Sequence, residues 1–268
     1  MPALVVYCHR IAKTIKPIHG GNGSAMRKHL FSVLIAALLL SVASAAMGAP
    51  ADQAANYYSQ RKDISNVIKG IEFVENQLKA KGEDYELLWM QARFYWYLGD
   101  RSEGKDRVVN FEKAKAYAER AVAANEDGID GHYWLAASIG STGIEKGILN
   151  SLFMVAPMKK ELEKCFKIDP RHAGSHYLMA RLLWQVPSIA GGNVKKALEE
   201  AKLAVEYDPG DSSHWLALGQ IAAANKDYKL ARSSYEHVIS MPDDKEDPAS
   251  SQSDKDMAKA ELKKIEGK

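Results

Sequence analysis

His132, His176 and His214 each stand directly before an aromatic residue, in His132-Tyr133-Trp134, His176-Tyr177-Leu178 and His214-Trp215-Leu216. Three imidazoles at equivalent places invite a zinc site. Zinc holds imidazole nitrogens at about 2.0–2.1 Å, whereas packed helices lie about 8–10 Å apart. Equivalent places on successive helices therefore do not converge on one ion, and each histidine is expected to be hydrogen-bonded between helices. Cys165 with His172 raises nucleophilic chemistry, but Cys165 takes a small-residue place on a helix, where burial without an adjacent base keeps a thiol inert. Gly191-Gly192-Asn193 precedes a helix, whose N-terminus can hold an anion. A phosphate loop needs further glycines and a Lys-Ser/Thr pair, so Asn193 is expected to be a helix cap. Paired acids, a His-Glu-x-x-His run and a nucleophile elbow are all missing from the sequence. The chain is expected to be no enzyme, with no metal and no cofactor.

The elements that would position these residues repeat. Ser212 to Pro242 carries Trp215, Leu218, Gly219, Tyr228, Ala231, Tyr235 and Pro242 in the tetratricopeptide order. Leading aromatics recur at Trp89, Tyr133, Tyr177 and Trp215. Small or apolar residues at helical spacing follow each, as in Ala114, Ala118 and Ala121, or Ala197, Ala201 and Ala204. The last unit has the standard spacing. The first three carry inserts of about nine, nine and four residues, expected where Gly and charge gather, at Gly99–Gly104 and Pro187–Asn193. One hairpin cannot bury its own apolar face, so neighbours must stack. Asp169-Pro170 and Asp208-Pro209 end helices, because the residue before Pro is pushed out of the α region. The expected fold is all-α: a right-handed superhelical array of about four tetratricopeptide-type hairpins with N- and C-terminal capping helices.

Charge divides unevenly. Residues 1–49 hold five of the 36 Lys and Arg and no acid, which leaves a body about three charges negative without a basic nucleic-acid footprint. Met26-Arg27-Lys28-His29, the apolar run Leu30 to Val42 and the small residues after it have the layout of a secretory signal. The competing reading is a membrane anchor, since Leu30 to Ala49 is uncharged over 20 residues. The expected organisation is an upstream extension over 1–25, a signal over 26–49, the repeat domain over 57–242, a linker over 243–252 and a capping helix over 253–268. A periplasmic or secreted location follows, or N-terminal anchoring in an inner membrane, with membrane contact only if the signal segment is retained.

Function in such an array belongs on the concave face, lined by the first helix of each hairpin. Its expected lining includes Leu87, Met90, Phe94, Tyr97, Trp134, Leu178, Leu182 and Leu216. No charged residue falls on any of the twenty places of this kind, which argues against a clamp for a peptide carboxylate and favours an apolar guest. The partner is then a hydrophobic small molecule or another exported protein. The apolar insert Gly143 to Ala156 either leaves this groove open or folds back to cover it.

From Gly131 onward the order of features resembles the periplasmic T component of TRAP transporters: the Gly143–Leu152 insert, Ile168-Asp169-Pro170, Pro187 to Gly192 with Lys195-Lys196-Ala197, and Pro242 with Asp254-Lys255. The same span is similar to the regulator of microtubule dynamics family, in His132-x-Trp134, the Asp169-Pro170 helix end and the acidic, Lys-rich tail. The first resemblance implies a transporter-associated binding protein outside the inner membrane. The lipoprotein cysteine of many T components is missing.

Overall fold

Caps and breakers divide the chain into short amphipathic helices. Asp63, Asp84, Asn193, Asp211, Asp227 and Asp247 each accept a backbone N–H of the helix they precede, satisfying donors that have no partner inside the helix. The computed structural model describes residues 49–268, and of residues 148–151 the backbone alone. Eleven α-helices follow one another among the described residues. They are α1 (Pro50–Ser59), α2 (Ile64–Lys81), α3 (Tyr85–Asp100), α4 (Gly104–Ala124), α5 (Ile129–Glu145), α6 (Ile148–Ile168), α7 (Ala173–Gln185), α8 (Val194–Tyr207), α9 (Ser212–Ala224), α10 (Tyr228–Ser240) and α11 (Pro248–Lys264). The fold is all-helical and tetratricopeptide-like, as expected.

Four hairpins, α3–α4, α5–α6, α7–α8 and α9–α10, stack in order. Their first helices touch along an inner row, α3 with α5, α5 with α7 and α7 with α9. The core runs through the stack as three linked apolar clusters. Close approach inside a hairpin needs small residues: a Cβ on Gly219 would sit 2.5 Å from the Tyr235 ring. The leading aromatics Tyr133 and Tyr177 reach forward to the next hairpin, where their rings meet those of His172 and His214 at 5.1 Å each.

The inserts depart from expectation. Only residues 101–103 separate α3 from α4, so the first two inserts lengthen the helices, slightly in α3 and α5 (16 and 17 residues against 13 in α7 and α9) and chiefly in the second helices. α4 and α6 have 21 residues each, against 14 in α8 and 13 in α10. A helical insert keeps the 3.6-residue period and leaves little trace in composition. Pro157 falls inside α6, where the added turns meet the repeat helix, and removes one N–H from its ladder. The third insert is a true turn. Gly191 takes φ +97°, and a Cβ on Gly192 would lie 1.7 Å from the Val186 carbonyl oxygen, so both positions require glycine.

The chain ends also differ from expectation. α11 begins at Pro248, inside the segment read as a linker, because Asp247 caps it and Pro248 is preorganised for the first turn. Residues 243–247 reach back to the α1–α2 turn. Arg61 pairs with Asp244 at 3.0 Å and with Glu246, and Asp247 pairs with Arg101. Members of a linear array normally contact only their neighbours; here an acidic strap joins the last helix to the first. The 1–25 extension and the signal segment lie outside the described residues, Ala49 excepted.

Candidate functional site

The inner row opens into a cavity of about 630 Å³ between α5, α6 and α7. Trp134 and Ala137 of α5, Met154 and Met158 of α6, and Leu178 and Leu182 of α7 form much of its wall. It is mostly apolar, and its polar side chains are those of Tyr133, Ser141, Tyr177, Arg181 and Gln185. Burial raises both tyrosine pKa values, which keeps the hydroxyls neutral. The α6 insert neither fills the groove nor leaves it alone. Its residues Leu152, Met154 and Val155 build one wall, while Phe153 stays 78% exposed beside them.

Three of the eight expected lining residues meet here: Trp134, Leu178 and Leu182. The others are corrected. Leu87, Phe94 and Tyr97 are buried core, and Met90 packs against the same cluster. α1 and α2 cover them: the Tyr58 ring stands edge-on to Phe94 at 5.6 Å and to Tyr97 at 5.7 Å. Leu216 is buried in the C-terminal cluster, where α11 packs on α9.

Two arginines belong to this face and escaped the sequence reading. Arg93 and Arg181 occupy the same repeat place, four residues after Trp89 and Tyr177. The Arg93 guanidinium lies 3.7 Å from the Tyr58 ring centre and 5.8 Å from that of Trp134, with its Nε lacking a hydrogen-bond partner. Arg181 donates to the Tyr177 hydroxyl at 3.3 Å. The signal was present: a residue four along lies only about 40° round the helix from one eight along, and a long side chain spans that difference.

His132 and His176 are hydrogen-bonded between helices. His132 Nδ1 meets Glu161 at 2.6 Å and its Nε2 meets the Glu126 carbonyl at 2.8 Å. His176 repeats this with Glu200 at 2.6 Å and the Pro170 carbonyl at 2.9 Å. Each ties the turn before its hairpin to the second helix of that hairpin. In the last unit His214 meets the Asp208 carbonyl at 3.3 Å, and no glutamate faces it. Asp208, Asp211 and His214 do bring ligand atoms within 4.8 Å of one another. Asp211, however, already accepts the Ser213 N–H as the α9 cap, and both carboxylates are exposed.

Cys165 is fully buried, and burial pushes its thiol up to about 11. A thiol reagent at neutral pH should therefore label Cys165 far more slowly in the folded protein than in the denatured chain, as peptide mass spectrometry that separates it from Cys8 would show. Equal rates would contradict the buried placement. No helix among the described residues is long and apolar enough to cross a membrane.

A family model described as Regulator of microtubule dynamics protein 1-3 matches residues 49–266. Regulator of microtubule dynamics protein 1 of Bos taurus is 31% identical over 56% of this chain and 53% of its own length. The Mus musculus protein of the same name is 30% identical over 56% and 55%. The chain thus spans about half the length of the curated relatives it matches. Among solved structures, a thermophilic TPR protein of Thermus thermophilus superposes with TM-score 0.58 at 16% identity, covering 76% of this chain and 96% of that one, which speaks for the fold alone. The match thus falls on the second of the two resemblances, and nothing in it supports a transporter-associated role. The expected periplasmic, secreted or inner-membrane location is corrected as well. The relatives are cattle and mouse proteins named for microtubules, and such cells have no periplasm.

Proposed function

Because the chain belongs to the regulator of microtubule dynamics family, we propose that it is a non-enzymatic protein-interaction scaffold of the kind that regulates microtubule dynamics. One observation carries the reading: a preformed apolar cavity of about 630 Å³ on the inner row of a tetratricopeptide-like array. A cavity of that size lined by Trp134, Leu178 and Leu182 suits a large apolar side chain presented by a partner, since buried apolar anchors dominate interface energetics. Nothing in its wall is arranged for catalysis. Its polar groups are two neutral phenols, a guanidinium, the Gln185 amide and the Ser141 hydroxyl, which accepts from the Trp96 indole, with no base beside a nucleophile.

Site-specific photocrosslinking from position 178, in cells of the native source, tests the reading. A discrete protein should crosslink there, and Ala137→Phe, which intrudes on the cavity, should remove it in a variant whose circular dichroism stays native. A crosslink indifferent to Ala137→Phe contradicts the site. The same apolar wall also favours a second reading, a hydrophobic small molecule. In that case native mass spectrometry would show a bound apolar compound, and position 178 would give no protein crosslink.

A further inference from the structure

We infer that the inner face recognises an acidic segment, whose carboxylates pair with Arg93 and Arg181 on either side of an apolar residue seated in the cavity. The inference rests on the scaffold reading and specifies its partner.

Of the four arginines in residues 85–124, Arg101, Arg107 and Arg120 form ion pairs and Arg93 does not. Arg93 instead lies over the Tyr58 ring with a buried, unpartnered Nε–H. Asp130 acts on it only from beyond ion-pair distance. Arg181 likewise has no carboxylate partner: its Nε and Nη2 donate to the neutral Gln185 amide oxygen at 3.2 and 2.9 Å and its Nη1 to the Tyr177 hydroxyl, while Asp254 acts on it from beyond ion-pair distance. Arg93, lying over an aromatic face, keeps its terminal N–H edge for a planar bidentate acceptor, which a carboxylate supplies, and at Arg181 a carboxylate replaces a neutral amide oxygen with a charged acceptor.

The chain itself demonstrates this preference next door. Tyr58 is shared: Arg61 lies 4.7 Å from its ring centre and Arg93 3.7 Å. Arg61 is occupied by Asp244 and Glu246 of the strap, and Arg101, stacked on Tyr97 at 3.5 Å, by Asp247. An acidic stretch of polypeptide is therefore already docked on the arginine–aromatic surface that Arg93 continues.

Spacing sets the register. Arg93 and Arg181 lie on first helices two hairpins apart, about 16–20 Å at ordinary helix packing distances. An extended peptide covers that in about five or six residues. Ala137, at the same repeat place in the intervening unit, lines the cavity between them. The partner segment is thus acidic–x–x–apolar–x–x–acidic.

Fluorescence anisotropy tests this with a fluorescein-labelled peptide carrying Glu pairs on both sides of a central Phe, and with its Gln-for-Glu counterpart. The Glu peptide should bind, weaken as salt is raised, and bind at least tenfold more weakly to the Arg93→Gln/Arg181→Gln double variant. Arg181→Lys should recover part of the loss left by Arg181→Gln. Equal binding of the Glu and Gln peptides overturns the inference and needs no variant to be folded; so does undiminished binding by a double variant with native circular dichroism. Binding of phospholipid vesicles with none of the peptide also overturns it. Loss of the crosslinked partner in Ala137→Phe, alongside indifference to the arginine changes, would leave the scaffold reading standing and reject only the acidic partner.

Discussion

Asp247→Lys should release the C-terminal helix and cost about 3 kcal/mol or more, because removing one member of a buried ion pair leaves its partners charged and unsolvated. Asp247 is 7% exposed and is held by Arg101, with Arg61 at 4.0 Å. The Arg61 side chain is 11% exposed, and a lysine at 247 would place a third cation beside it. The substitution also removes the α11 cap, where the Asp247 carboxylate accepts the Ser250 N–H at 3.3 Å. Asp247→Asn separates the two contributions, since asparagine caps as well as aspartate but carries no charge. Its loss should fall between wild type and Asp247→Lys. Thermal unfolding gives the total, and hydrogen exchange locates it: protection should fall first in Pro248–Lys264. Unchanged exchange in that helix would contradict the strap as a closing contact.

His132→Leu should cost a similar amount, about 3–5 kcal/mol by the same buried-pair rule. The imidazole is 2% exposed, and the Glu161 carboxylate it leaves behind is 11% exposed. The double variant His132→Leu/Glu161→Met should recover most of the loss, because an apolar pair of similar volume needs no counter-charge. The pair also gives the protein a pH signature. The Glu161 bond, with help from the Glu126 carbonyl and against burial, raises the His132 pKa above its usual 6.5. Its stabilisation is complete below the unfolded-state value and is lost as pH rises through the higher folded value. For His176 burial is the largest influence and opposes protonation, but the Glu200 bond and Pro170 carbonyl together outweigh it, so its contribution has the same sign. Burial lowers His172, which works in the opposite direction at lower pH and is common to all the variants compared. Denaturant unfolding from pH 6 upward should show wild type losing stability and the double variant losing less. A wild-type profile that rises over that range would contradict a charged His132–Glu161 pair.

Much of the fold was legible because its determinants are local. Trp215, Gly219 and Tyr235 mark one hairpin at standard spacing, and Asp169-Pro170 and Asp208-Pro209 mark the ends of α6 and α8. His132 and His176 are hydrogen-bonded between helices, as their packing places implied. What stayed hidden depends on residues far apart. Nothing near Leu87, Phe94 or Tyr97 announces that α1 and α2 will cover them. Asp243 to Asp247 looks like a solvated linker until Arg61, more than 180 residues away, supplies its partner. Arg93 and Arg181 were missed because the concave stripe was counted as fixed places, whereas a long side chain at its edge reaches in.

The central claim is that the inner face between α5, α6 and α7 is where this protein binds a partner. Methionine methyls report on it directly, because Met154 and Met158 line the cavity, whereas Met257 lies on α11. Methyl NMR of the carbon-13-labelled protein, titrated with the Glu-flanked Phe peptide, should shift Met154 and Met158 saturably and leave Met257 in place. Binding that moves Met257 while Met154 and Met158 stay still would contradict it.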